Sequence, residues 1–330
     1  MKKRMSLWAA LLASALMLAP GLAFTQSDPA SSVAGVLARK ALAIKVSAPE
    51  TNPLLAAARA GNRLVAVGAR GMVLLSDDNG KQWRQAAEVP VRSMLTSVSF
   101  VDAQRGWAVG HDTSILATTD GGEHWQLQHF DAETDRPLFS VHFFDARQGV
   151  AVGLWSTILT TDDAGVNWRQ VKAPAPPEGG KADRNLFSLF ASPAGAIYAA
   201  AERGAVLRSK DRGVSWEYLS TGYKGSLWTG LALDEQTLVV AGMRGTVYRS
   251  DDAGAHWASV PSHTQSSVTQ LARHGQQMVA VGLDGVMLRS DDQARTLSFA
   301  QRDDRLKLTA AITAADGSLH LLSAQGVVLP

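Results

Sequence analysis

The chain has no cysteine among its 330 residues. That absence excludes a disulfide framework, a thiolate zinc site and a lipid-bearing cysteine at a processing point. Aromatic residues make up 7% of the sequence, with only four tyrosines, and neither sign of charge is in excess: 32 Lys and Arg face 30 Asp and Glu. With 46% apolar residues the chain can nevertheless bury a large core.

The slight basicity sits at one end. "MKKRMSLWAALLASALMLAPGLAFTQS" puts Lys2, Lys3 and Arg4 before an apolar run that ends at Pro20 and the small-residue exit Gly21-Leu22-Ala23. The run is about fifteen residues, short of the roughly twenty that span a bilayer, so a cleaved signal peptide over 1–23 is expected rather than an anchor helix. Removing it leaves 29 basic against 30 acidic residues, a net charge of −1. Such a balance gives no electrostatic reason to expect a nucleic-acid partner. The mature chain is expected to be soluble, exported and not membrane-spanning, periplasmic if the source is a Gram-negative bacterium.

What is abundant is one phrase. "LLSDDNGKQW" returns as "LATTDGGEHW", "LTTDDAGVNW", "LRSKDRGVSW" and "YRSDDAGAHW", and the closing residues Trp83, Trp125, Trp168, Trp216 and Trp257 are separated by 42, 43, 48 and 41 residues. A period near forty suits a propeller blade or a helical repeat. The units carry short Val-, Leu-, Ile- and Phe-rich runs broken by Gly and Asp, without the three-to-four periodicity of helices, which favours strands. The second unit reads as four strands, "LTSVSFVD", "GWAVGHD", "SILATT" and "HWQLQHF", and units starting at Leu54, Leu95, Leu138, Leu186, Leu227, Val268 and Leu308 predict seven blades.

The expected fold is therefore all-β: a seven-bladed propeller of four-stranded antiparallel blades forming one domain over 38–330, after a linker over 24–37. The last unit runs out after three strands. Because exposed strand edges are unfavourable, the segment "ARKALAIKVSAP" (Ala38 to Pro49) is expected to close that blade as its outer strand. A linker or short helix is the competing reading of that Ala-rich stretch.

The phrase reduces to Ser/Thr-x-Asp-x-Gly-x-x-Trp: Ser76, Asp78, Gly80, Trp83; Thr118, Asp120, Gly122, Trp125; Thr161, Asp163, Gly165, Trp168; Ser209, Asp211, Gly213, Trp216; Ser250, Asp252, Gly254, Trp257. Asp can accept backbone N–H groups across a turn, Gly can take positive φ, Ser or Thr can add a local bond, and Trp buries a large surface. A sixth copy keeps Ser290 and Asp292 but has Ala294 and Leu297 in place of Gly and Trp. Carboxylates spread around a ring cannot act together, so the motif is expected to be structural.

The phrase resembles the Asp-box, or BNR repeat, of sialidases, sortilin-type receptors and other propellers. The longer coupling in "AVGARGMVLLSDDNGKQW" and "AVGHDTSILATTDGGEHW" is similar to the photosystem II stability and assembly factor family of seven-bladed propellers. That resemblance implies a non-enzymatic exported factor that binds membrane-protein subunits during complex assembly. Similar proteins occur in bacteria without photosynthesis, so it fixes the fold better than the client.

In a four-stranded blade the Asp-box turns share one face with the turns between first and second strands. The turns between second and third strands, and the links between blades, occupy the other. On that second face the sequence places Arg70, His111, Trp155, Arg203 and Arg244, with Tyr223 and Lys224 in "STGYKGSL" and Lys172, Lys181 and Arg184 in the long link "VKAPAPPEGGKADRN". Loops on a rigid scaffold carry recognition, and Arg and Trp anchor interfaces, so Arg70, His111, Trp155, Arg203, Tyr223, Lys224 and Arg244 form the candidate partner-binding set. A merely solvated rim, with Glu202 paired to Arg203, is the alternative. Arg208, Arg249 and Arg289 precede their boxes and are expected to pack between blades with heads paired to Asp211, Asp251 or Asp291.

A sialidase-like hydrolase or a glycan-binding propeller is the competing function. Such an enzyme wants a Tyr nucleophile, an acid near the axis and three Arg around a carboxylate. Only Tyr198, Tyr218, Tyr223 and Tyr248 exist, the Arg-Ile-Pro phrase is absent, and the inner strands offer Ser, Thr and His142. The eight His have no ligand spacing. The expectation is no catalytic residue, no metal, no cofactor, and a monomer that binds a protein client, a membrane protein or complex.

Overall fold

The computed structural model describes residues 38–134 and 136–328. The expected signal peptide and linker lie outside these residues. Seven antiparallel sheets follow one another along the chain, their inner strands being Leu54–Ala60, Leu95–Phe100, Leu138–Phe143, Leu186–Ala191, Leu227–Ala232, Val268–His274 and Leu308–Thr313. Each starts where the repeat places it. Six sheets have four strands in sequential order and the seventh has three.

In blades 2 to 6 the second strand is the most buried, as in Gly106–Gly110 and Leu238–Gly242, where every residue is buried. Both faces of a blade are covered by its neighbours, so these strands read as continuous apolar runs rather than alternations. The core accordingly lies between blades. Val65, Val67 and Leu75 of blade 1 pack with Leu95, Val98, Leu116 and Trp125 of blade 2, and comparable clusters join the later blades.

Edge amides of the inner strands are satisfied from the adjacent blade. Ser140 Oγ accepts the Leu189 N–H at 3.0 Å and Thr229 Oγ1 accepts that of Leu271 at 3.0 Å. The hydroxyls of "LFSVHF" and "LWTGLA" are thus inter-blade stitches, which disposes of the open edges a radial sheet array would otherwise present.

Ring closure differs from the expectation. Among the described residues, Ala38 to Pro49 add no strand to the last blade; the segment runs outside blades 1 and 2 and only its end, Pro49–Thr51, packs against the last blade's third strand. Ala43 donates to Val89 O at 2.8 Å and Arg92 to Arg39 O at 2.7 Å, and Arg39 pairs with the buried Asp112 at 3.2 Å. Blade 7 closes directly on blade 1, where Thr309 Oγ1 donates to Leu54 O at 2.7 Å. This bond joins inner strands, so the ring is closed at the axis and needs no outer strand exchanged between the chain ends.

Candidate protein-binding face

The Asp-boxes form closely similar clasps. Ser250 Oγ donates to Asp252 Oδ1 at 2.8 Å and accepts the Gly254 N–H at 2.9 Å, Asp252 Oδ1 also accepts the His256 N–H at 2.8 Å, and Trp257 Nε1 donates to Gly254 O at 2.9 Å. The same bonds recur in the boxes at Asp78, Asp120 and Asp211. At Asp163 they recur except that the Trp168 indole N–H finds no acceptor. Each of these carboxylates accepts bonds from its own turn through Oδ1. Asp102 and Asp145 likewise cap turns, each accepting two backbone N–H groups.

Of the arginines before the boxes, Arg249 behaves as expected, 7% exposed with its head on Asp251. Arg208 pairs instead with Glu217, Nε to Oε1 at 2.9 Å, because that residue lies opposite it on the outer strand. Arg289 is exposed.

The other face is built by six tight turns between second and third strands. Each is pinned twice. In blade 1, Ala69 donates to Pro53 O at 3.0 Å and Gly71 to Ser93 O at 2.9 Å; in blade 3, Leu154 donates to Pro137 O at 3.0 Å and Ser156 to Arg184 O at 2.7 Å. The turn is thereby locked between the link entering its blade and the link leaving it. In blade 1 the Gly before the turn is required by space, since a Cβ on Gly68 would lie 2.0 Å from Pro53 O, whereas blade 4 has Ala201 at this position.

The middle residue of these turns is held at positive φ: Arg70 at 57°, Trp155 at 52°, Arg203 at 57°, Arg244 at 56° and Asp284 at 57°. Non-Gly residues there cost about 1 kcal/mol relative to Gly. Arg70, Arg203 and Arg244 are exposed and Trp155 is 57% exposed. Glu202 does not neutralise Arg203, because its carboxylate accepts the Asn185 N–H at 3.0 Å and Asn185 Nδ2 at 2.9 Å. None of the three turn arginines takes part in an ion pair among the described residues.

Trp155, Arg203, Tyr223, Lys224 and Arg244 fall on the consecutive blades 3, 4 and 5. Half-buried Tyr223 bridges two of the turns: its carbonyl abuts Gly204 and its hydroxyl donates to Met243 O at 3.3 Å. Arg70 stands apart on blade 1. His111 is half-buried at the position of Ala69, one before the positive-φ residue. Its neighbour Asp112 has turned inward onto Arg39 and Ser93. Arg184, assigned by sequence to the exposed link, is 5% exposed, its guanidinium 5.0 Å over the Tyr218 ring.

A further element comes from seven β-bulges, one at the start of every inner strand, each leaving one residue unpaired. These residues line the central channel: Leu55, Thr96, Phe139, Phe187, Trp228, Thr269 and Thr309. The three Thr bond to the next blade. Phe139, Phe187 and Trp228 form an aromatic crescent on blades 3 to 5, with the two Phe centroids 5.7 Å apart. The crescent thus stands inside the arc that carries Trp155, Arg203 and Arg244. Its signal in the sequence was an aromatic as the second residue of "LFSVHF", "LFSLFA" and "LWTGLA".

Residues 85–205 and 131–290 match the family described as photosynthesis system II assembly factor YCF48, a union covering more than half of the chain. The chain belongs to this family. The curated relatives of the YCF48 family include the photosystem II assembly protein Ycf48 of Thermosynechococcus vestitus, 35% identical over 161 residues (44% of this chain, 46% of the relative). The Ycf48 of a Synechococcus strain is 33% identical over 76 residues (21% and 22%). The alignments span less than half the length of these relatives. Among solved structures, YCF48 bound to D1 peptide superposes with a TM-score of 0.68 at 19% identity, covering 88% of this chain and 97% of that one. YCF48 from Cyanidioschyzon merolae gives 0.68 at 18%, covering 87% and 97%. These structures establish the propeller fold for this chain.

Proposed function

We propose that this protein is an exported, non-catalytic, monomeric propeller that holds a protein client on the face bearing Arg70, Trp155, Arg203 and Arg244, and so helps a membrane protein or complex to assemble or persist. The observation that carries this reading is the strained placement of those side chains. A turn needing positive φ is most cheaply filled by Gly or Asn. Here it holds three guanidinium groups without an ion-pair partner among the described residues and an exposed indole, side chains suited to anchoring an interface. The family's description as assembly factors supports a protein client, as does a fold relative that carries a D1 peptide.

A carbohydrate-active enzyme is not favoured. The described channel wall carries aliphatic and aromatic side chains, hydroxyls, Gln270, His142 and Arg59 and offers no carboxylate pair. The test is recovery of a partner from a solubilised membrane fraction, with wild-type protein compared against Arg70→Glu/Arg203→Glu/Arg244→Glu. Loss of a specific partner with unchanged unfolding is expected; undiminished recovery by the triple variant would overturn the assignment of this face.

A further inference from the structure

Between the proline-rich link and the outer strand of blade 4 lies a cavity of about 460 Å³ lined by Pro177, Glu178, Arg184, Arg203, Tyr218 and Lys224, among others. Three cationic side chains therefore meet one carboxylate. Arg184 forms its floor, 5% exposed and stacked on Tyr218. Its Nη2 bonds Glu178 Oε1, while its Nε–H has no partner.

A guanidinium presents Nε and Nη as a fork that a carboxylate normally engages with both oxygens. Glu178 engages it with one oxygen on one nitrogen. It reaches Arg184 from within a turn whose Pro176 and Pro177 restrict the approach and which the Gly179 N–H closes on Pro176 O at 2.9 Å. A buried N–H left open beside a half-engaged fork is a site that its occupant does not fill.

We propose that this cavity is a carboxylate-binding site and that Glu178 is its tethered occupant, displaced by a carboxylate of the client that closes the Arg184 fork and meets Arg203 and Lys224. This deepens and rests on the client-binding role proposed above. The proline-rich link would then gate one pocket of that face: a client must present an acidic group before the link gives way, which confers selectivity without a high resting affinity.

The test uses the intact protein and two probes, glutarate and inorganic phosphate. The Nε–H resonance of Arg184, assigned by its loss in Arg184→Lys, is followed by NMR in wild type and in Glu178→Gln. A short tether supplies an effective concentration in the millimolar range, so glutarate should saturate Glu178→Gln at a concentration about fivefold or more below that needed for wild type. Equal midpoints in the two proteins, or an unmoved Arg184 resonance, would overturn the proposal. Saturation by phosphate below glutarate would overturn the carboxylate assignment. Because the titration needs no client, its failure leaves partner recovery by the face intact, and failure of partner recovery leaves the titration intact.

Discussion

Ser290 donates to Asp292 at 2.7 Å, matching the 2.8 Å bond from Ser250 to Asp252, although the sixth box has lost both its Gly and its Trp. Ala294 takes φ of 61° and still donates its N–H to Ser290 Oγ at 2.9 Å. The clasp is therefore held by the Ser–Asp pair, and the Gly and Trp improve a turn that closes without them. Ser290→Ala and Ser250→Ala should each cost about 1–2 kcal/mol, because each leaves a buried N–H unpaired. Urea unfolding checks this; a sixth box that tolerates Ser290→Ala without loss would show that its clasp is vestigial.

Acid should weaken the fold in two stages. The backbone N–H of Asn167 holds Asp163 down to about 2, and that of His256 holds Asp252 down to about 2. Both lie below the unfolded value, so their contribution is complete above pH ~4 and is lost as pH falls through 4 toward 2. His142 acts higher: burial pushes it down to about 4. The unfolded chain then binds the extra proton between pH ~6.5 and 4, and stability falls across that interval by about 3 kcal/mol. His142→Gln should flatten the upper stage and Asp252→Asn part of the lower one, read from urea midpoints at pH 7.5, 5 and 3.

The blade starts were legible because in blades 1 to 6 the inner strand opens with an apolar residue 24 or 25 residues before the Asp of its box, as Leu95 stands before Asp120. The site was legible only where it repeats. Arg70, Trp155, Arg203 and Arg244 follow a shared strand ending and could be placed by register. Phe139, Phe187 and Trp228 could not, because a bulge changes the direction of one side chain without changing the apolar pattern around it. Arg184 was misplaced for a different reason: a link rich in Pro, Gly and charge has no periodicity, so nothing marks the one residue that turns inward onto Tyr218. The closing strand was sought at the outer edge, whereas the bond that joins the ring uses Thr309, which reads as one more strand Thr.

The segment outside blades 1 and 2 should be separable from the ring. Arg39 is 47% exposed and its partner Asp112 is 2% exposed. Arg39→Ala should cost about 1–2 kcal/mol, discounted from the value for a fully buried pair by the exposure of Arg39. Adding Asp112→Asn should recover most of the loss, since Ser93 remains to bond the amide. Hydrogen exchange at Ala43 and Arg92, whose N–H groups tie this segment to the blades, should rise in the single variant and not at Leu189 or Leu271 between inner strands. Faster exchange at all four would mean that the segment is integral to ring stability.

The turn arginines should show stability opposed to function. Each of Arg70, Arg203 and Arg244 sits at φ near 57° with no ion pair among the described residues to offset the strain. Arg→Gly at any one of them should therefore stabilise the fold by about 0.5–1 kcal/mol, the larger entropy of the unfolded Gly chain offsetting part of the relief. A solvated rim would gain that stability at no other cost. A binding face would gain it and lose partner recovery together, most at Arg203 and Arg244, which flank Tyr223 and the aromatic crescent, and least at Arg70 on the far side of the ring. Thermal unfolding and partner recovery measured on the same three variants separate the two cases, and a stabilised Arg203→Gly with full recovery would remove Arg203 from the interface.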